Sequence, residues 1–239
     1  MTVKVGVMLP TFEDRPETAL EAGAEAERLG LDGVFVYDHL WPMGSPERPA
    51  LAPFALLGAL AVRTSAIFLG PLVARVGVVP EETLVAQFAA LDHLAPNRVI
   101  ASLGTGDHLS FNENRAYGLP LEPAQMRRAA AGRCASALLE LGLPVWIGGA
   151  ARQTRAVAEA TGAAVNLWQA SAEEVAEQAL RTEVTWAGMV RSGASGEEAD
   201  ASELVAIGQP LVTAGASWVV FGWPVRLDRL AAAAGSLRG

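Results

Sequence analysis

Apolar positions along this chain fall into short unbroken runs, separated by longer stretches in which they recur every three or four residues. The runs are Val3–Leu9, Gly33–Tyr37, Ile67–Val73, Arg98–Leu103, Pro144–Ile147, Ala163–Trp168, Glu183–Val190 and Ser217–Gly222. Runs of this length, bounded by turn residues, predict strands covered on both faces. The intervening segments Pro16–Leu29, Pro53–Arg63, Glu81–Leu94, Pro123–Leu141, Ala151–Thr161, Ala172–Leu180 and Glu197–Ala214 carry the helical period, and a last helix follows Gly222. Pro16 and Glu17 suit a first helical turn, whose amides lack partners, and Gly30 suits a C-terminal cap.

Strict alternation of strand and helix predicts a parallel sheet, because each strand must cross over through a helix to lie beside the next. Eight such units favour closure into a (β/α)8 TIM barrel over an open doubly wound sheet, which stays as the alternative. The length of 239 residues suits one domain spanning 1–239, since such barrels take about 250 residues. The longest irregular segments, Leu40–Ala52 and Gly104–Leu121, both follow strands. They therefore fall on the C-terminal face, where barrels of this kind carry their chemistry.

Composition narrows the partners. A net charge of -8 opposes non-specific attraction to nucleic acid or an anionic membrane surface, so small molecules are the expected partners. With Cys134 as the one cysteine, neither an intrachain disulfide nor a thiolate metal cluster can form. There is no run of about 18 apolar residues and no basic leader before the first strand, so a cytoplasmic setting is expected.

Three strand ends carry candidate chemistry. After the second run stands Asp38-His39-Leu40-Trp41. His39 can exchange protons near neutral pH, Asp38 can hold it or contact a ligand nitrogen, and Trp41 can stack on a ring or simply cover the core. After the fourth run, Gly104-Thr105-Gly106-Asp107 lets backbone approach a ligand and presents a carboxylate, with His108 and Asn112 in the same loop; plain strand punctuation is the competing explanation. After the fifth run, Ile147-Gly148-Gly149-Ala150-Ala151 opens a helix, and exposed amides at such a turn can cradle a phosphate. A tight connection would look the same. No metal-ligand spacing and no Gly-x-Ser-x-Gly elbow is present, which disfavours metal chemistry and serine hydrolysis.

The series Gly6–Pro10, Ala24-Glu25, Gly33–Leu40, Leu69–Val73, Val85–Asp92, Pro96–Val99, Gly104–Asp107 and Pro144–Gly149 resembles the bacterial luciferase-like flavin or deazaflavin oxidoreductases over most of the chain. The resemblance implies a shortened luciferase-like barrel with a coenzyme across its mouth. The nearest pattern is the branch using the deazaflavin coenzyme F420, in which an acidic residue after strand one and Asp-His after strand two face the ring; Glu13, Asp38 and His39 match. Gly148 to Ala151 would take the phosphate, and Trp41, Gly106 and Asn112 would complete the coenzyme contacts. Asp107 stands where that branch usually has glutamate, one methylene longer. The resemblance further implies a non-proline cis peptide behind the ring, here joining Leu72 to Val73.

The expected activity is hydride transfer between the deazaflavin and a small organic substrate, with His39, Asp107 and Glu13 as proton-handling groups. An FMN-dependent monooxygenase and a non-catalytic flavin-binding protein are the alternatives, and a homodimer is the expected assembly. One departure is large. Where family members usually carry a long cover over the site, Leu141-Gly142-Leu143 runs directly into Pro144.

Overall fold

The computed structural model describes residues 2–42, 45–48, 50–190 and 199–239. In chain order, β1 (Lys4–Met8), α1 (Pro16–Arg28), β2 (Gly33–Val36), α2 (Pro53–Arg63), β3 (Phe68–Pro71), β4 (Ala74–Arg75) and α3 (Glu81–Leu94) lead to β5 (Ala101–Gly104). A 3-10 turn (His108–Ser110), α4 (Phe111–Ala116), α5 (Ala124–Glu140), β6 (Val145–Gly148), α6 (Arg152–Thr161) and β7 (Ala164–Trp168) follow. The chain ends with α7 (Ala172–Ala179), β8 (Val184–Met189), α8 (Ala201–Thr213), β9 (Ala216–Gly222) and α9 (Leu227–Arg238).

All pairings are parallel, in the order β3-β2-β1-β9-β8-β7-β6-β5-β4. The two outer members of that order, β3 and β4, are halves of one strand. Its lower half pairs with β2, its upper half pairs with β5 through Ala74 and Leu103, and Leu69 bridges to Val99 below β5. The sheet therefore closes on itself as an eight-stranded barrel, and the open-sheet alternative falls. The expected single strand Ile67–Val73 is interrupted between β3 and β4 by the Leu72–Val73 bond, which is cis, as the family resemblance implied. The fourth strand starts later than expected, at Ala101, because Arg98 to Ile100 are engaged with β3: Leu69 N–H donates to Arg98 O at 2.8 Å and Ile100 N–H to Leu69 O at 3.0 Å.

The pleat sorts side chains into two layers. Val5, Val7, Leu69, Leu103 and Ile147 point outward and pack under the helices. Met8, Phe35, Ile100, Trp146, Ala187 and Trp218 point inward and fill the barrel. The Trp218 ring organises that interior, lying 5.9 Å from Phe35, 5.7 Å from Phe68 and 5.4 Å from Trp146, each edge to face. Lys4 closes the lower end, its ammonium 4.4 Å from the Phe68 ring centre.

Two local differences from the expected elements remain. The helix expected from Glu197 begins, among the described residues, at Ala201, where Asp200 and Glu203 form a reciprocal capping box; Glu197 and Glu198 lie outside the described residues. The irregular stretch Gly104–Leu121 contains the 3-10 turn and α4. The short link before β6 is as the sequence reads: α5 ends at Glu140, Gly142 turns the chain at φ 81°, and β6 starts at Val145.

Candidate active site

Three charged side chains meet under the mouth of the barrel, brought there by β2, β4 and α4. Asp38, just past β2, is buried, and its Oδ2 accepts the backbone N–H of Arg75 at 2.7 Å. This ties the end of β2 to the upper half of the third strand. Burial pushes the Asp38 carboxyl above its usual range, against the opposing pull of the Arg75 N–H and guanidinium.

The Arg75 guanidinium is buried as well. Its Nη2 donates to Glu113 Oε1 at 2.8 Å and its Nη1 to Asn114 Oδ1 at 3.2 Å, while Nε finds no protein acceptor. Glu113 Oε1 also accepts the Leu40 N–H, and Oε2 lies 3.0 Å from His39 Nδ1. Burial alone would raise the Glu113 carboxyl. The bonds from His39 and Leu40 together with the Arg75 charge outweigh it, and the net direction is below the ordinary carboxylate range. Glu113 is therefore a carboxylate at neutral pH. Tyr117, at the end of α4, donates its hydroxyl to Leu40 O at 3.1 Å, and its ring lies 6.1 Å from that of Trp41. The short helix α4 thus clamps the loop that carries His39.

Beside this cluster the mouth is aromatic. Phe12 stacks on Tyr37 at 5.2 Å and meets His39 edge-on at 5.9 Å, and Trp168 stands 6.5 Å from Tyr37 with 45% of its surface exposed. The Tyr37 hydroxyl donates to Met189 Sδ at 3.7 Å, and burial pushes its ionisation up to about 12. It acts as a neutral hydroxyl throughout the physiological range.

The glycines of the two following strand ends have a packing cause. Gly104 and Gly148 pair in register across β5 and β6, and Val73 lies over both. A Cβ on Gly148 would sit 2.8 Å from Val73 Cγ1, and one on Gly104 would collide with Val73 Cγ2. Leu72 is buried inside the barrel. Gly106 turns at φ 63°, and Arg127 from α5 holds that turn by donating from Nε to Thr105 O at 2.6 Å and from Nη2 to Gly106 O at 3.4 Å.

The residues singled out in the sequence are distributed as follows. His39 is half-buried in the cluster, but its holder is Glu113; Asp38 is committed to the Arg75 amide instead, because β4 brings that N–H to it. Glu13 and Asp107 are exposed on the loops after β1 and β5, at the same end of the barrel. Asn112 is exposed on α4, whereas its neighbours Glu113 and Asn114 face inward. Ile147 packs outward under the helices, so its side chain is turned away from the mouth. Gly149, at φ 154°, packs against Thr154, and Ala150 and Ala151 are exposed at the start of α6, which has no side-chain cap. Sequence reasoning missed Arg75, Glu113, Asn114 and Arg127. The charged Arg75 following an apolar strand and the run Asn112-Glu113-Asn114 were the available signals.

A cleft of about 500 Å3 opens beside the cluster, between the segment after β4 and α5, walled by Arg75, Val78, Leu119, Met126 and Arg127. Among the described residues no group of three His, Cys, Asp or Glu side chains could hold a metal ion, and no helix is long and apolar enough to cross a membrane.

A closed parallel barrel with its charged side chains gathered at the C-terminal strand ends defines a (β/α)8 protein built around its mouth. Within that class the chain belongs to the luciferase-like monooxygenase family, whose model matches residues 2–131. Among curated proteins it is similar to the F420-dependent glucose-6-phosphate dehydrogenases of Intrasporangium calvum, 35% identical over 121 residues (49% of this chain, 36% of the relative), and Beutenbergia cavernae, 35% identical over 147 residues (61% and 42%). The chain thus spans well under two thirds of the length of these relatives. Its fold is similar to that of an F420-dependent secondary alcohol dehydrogenase in complex with an F420-acetone adduct (TM-score 0.83, 16% identity, 100% of both chains covered). It is also similar to that of a coenzyme F420-dependent tetrahydromethanopterin reductase from Methanopyrus kandleri (TM-score 0.74, 14% identity, 100% and 98% covered).

Proposed function

We propose that this protein is an oxidoreductase dependent on the deazaflavin coenzyme F420, acting on a small organic substrate. The observation that carries the reading is His39, held at the mouth of the barrel by a buried carboxylate, both within residues 2–131 that match the luciferase-like family, in a chain that is also similar to F420-dependent dehydrogenases. When bound, the deazaflavin supplies the hydride chemistry. The protein's part is to position that ring and to move the accompanying proton.

The residues present fit such a coenzyme. The uncapped first turn of α6, with Gly148, Gly149, Ala150 and Ala151 before it, leaves backbone amides for a phosphate. The aromatic floor of Phe12 and Tyr37 suits a planar ring. Asp38, Trp41, Leu72, Val73, Gly106, Asn112 and Ile147 complete the proposed contacts, the buried ones through backbone or through the shape they give the floor. His39 Nε2 handles the proton of the substrate oxygen, with Asp107 and Glu13 as exposed acid–base partners.

The proposal includes a homodimer and a cytoplasmic setting. Val62 on α2 and Leu94 at the end of α3 are 72% and 54% exposed on adjacent helices, an apolar face suited to a second copy.

Titration of the purified protein with coenzyme F420 and with FMN, followed by turnover over candidate alcohols, imines and enones, tests the reading. Saturable binding of F420 with substrate-dependent change of its absorbance is expected. Binding of neither coenzyme overturns the proposal, FMN binding alone moves it to a monooxygenase, and binding without turnover moves it to a flavin-binding protein.

A further inference from the structure

We infer that Glu113 is the positioning residue of this site, locking the neutral His39 ring with its proton on Nδ1 and its lone pair on Nε2. The inference rests on the proposed role of His39. Its geometry stands independently of which coenzyme binds.

An ionised carboxylate only accepts hydrogen bonds. With Glu113 Oε2 3.0 Å from His39 Nδ1, that ring nitrogen must carry the proton whenever the imidazole is neutral. The second ring nitrogen is then an acceptor, free to take a proton from a hydroxyl or return one to a carbonyl oxygen. Glu113 can serve this purpose because its own state is held from the other side. Oε1 takes the Leu40 N–H and the Arg75 guanidinium, and Asn114 takes the second arm of that guanidinium. Asp38 fixes the Arg75 backbone on β4, so the chain of contacts runs from the third strand through Arg75 and Glu113 to the imidazole. The charged groups facing Glu113 are His39 from the loop after β2, Arg75 from β4, and Asp38 behind them.

A purely structural Glu113 would serve only to tether Leu40 to α4, and the two roles separate in one variant. Glu113→Gln keeps an oxygen for the Leu40 N–H but can turn an amide N–H donor toward Nδ1, which favours the opposite tautomer. The measurement is the ring 15N spectrum of the coenzyme-free protein with its imidazoles neutral, the signal being assigned by its loss in His39→Gln. Protonated Nδ1 and bare Nε2 are expected in the wild type, with a shift toward protonated Nε2 in Glu113→Gln and retention of the wild-type pattern in Arg75→Lys. Wild-type protein with the proton on Nε2 overturns the inference, whether or not the variant folds. So does a Glu113→Gln protein with an unchanged tautomer.

In loaded enzyme, Glu113→Gln is expected to lower kcat by roughly 100-fold with KM within about twofold, the scale of one general acid–base contribution, and Glu113→Asp to recover part of it. If no coenzyme binds, the proposed function fails while the tautomer result remains readable, so the two failures are distinct.

Discussion

Val73 occupies the space that a side chain on Gly148 would need, its Cγ1 2.8 Å from where that Cβ would be placed. The third strand and the start of the proposed phosphate turn are therefore packed as one unit. Gly148→Ala is expected to destabilise the fold by about 1–3 kcal/mol through overpacking. Val73→Ala in the same chain should return much of that loss, because it removes the colliding methyl groups. Urea midpoints of the two single variants and the double variant measure the coupling, and strictly additive losses would contradict the contact.

The Asp38 bond to the Arg75 amide yields a pH-dependent prediction. Burial raises the folded-state carboxyl above its unfolded value near 3.9. Its stabilising contribution is therefore fully present below that unfolded value and is lost as pH rises through the raised folded value. Asp38→Asn keeps an acceptor for the Arg75 N–H and removes the titration, so its stability relative to wild type should improve as pH climbs above about 4. Asp38→Ala leaves the amide without its acceptor and should cost about 1–3 kcal/mol. Chemical denaturation between acid and neutral pH distinguishes these outcomes.

Inside the barrel Trp218 touches three other rings. Trp218→Ala should cost about 3–5 kcal/mol, because close-packed neighbours cannot collapse into the void. Thermal unfolding followed by circular dichroism is the check. A loss below about 1 kcal/mol would mean that the strands relax inward.

Arg127 is bound to the carbonyls of the turn carrying Asp107. Arg127→Ala should leave the global unfolding midpoint nearly unchanged while speeding amide exchange across residues 105–110. If coenzyme contacts that turn, its Kd should rise about tenfold, the equivalent of one net hydrogen bond. Unchanged exchange would show that the turn is held by other contacts.

The strand–helix alternation was legible because buried parallel strands and amphipathic helices write different periods into the chain. α2 and α3 begin and end where those periods and their flanking prolines place them. The split of the third strand was not visible as a pattern, since both halves are apolar and it emerges only from pairing with β2 on one side and β5 on the other. α4 was hidden for a different reason: at 6 residues it is too short to display a helical period. Glu113 was missed with it. Its role depends on α4 folding back against a loop 74 positions earlier, a relation that neither local segment encodes. His39 was legible because an imidazole at a strand's C-terminal end is informative wherever its partner comes from.

The polar cluster and the proposed phosphate turn come from different parts of the chain. His39, Arg75 and Glu113 all lie within the family-matched residues 2–131, whereas Gly148 to Ala151 and the second half of the barrel wall lie beyond them. His39 and the side chains that hold it are thus wired together before α5 begins. The remaining units complete the barrel wall and carry the turn proposed for the phosphate. The hydrogen bonds that set the bearing of the imidazole all lie among residues 38–117, so none of them depends on a side chain from the later half of the barrel.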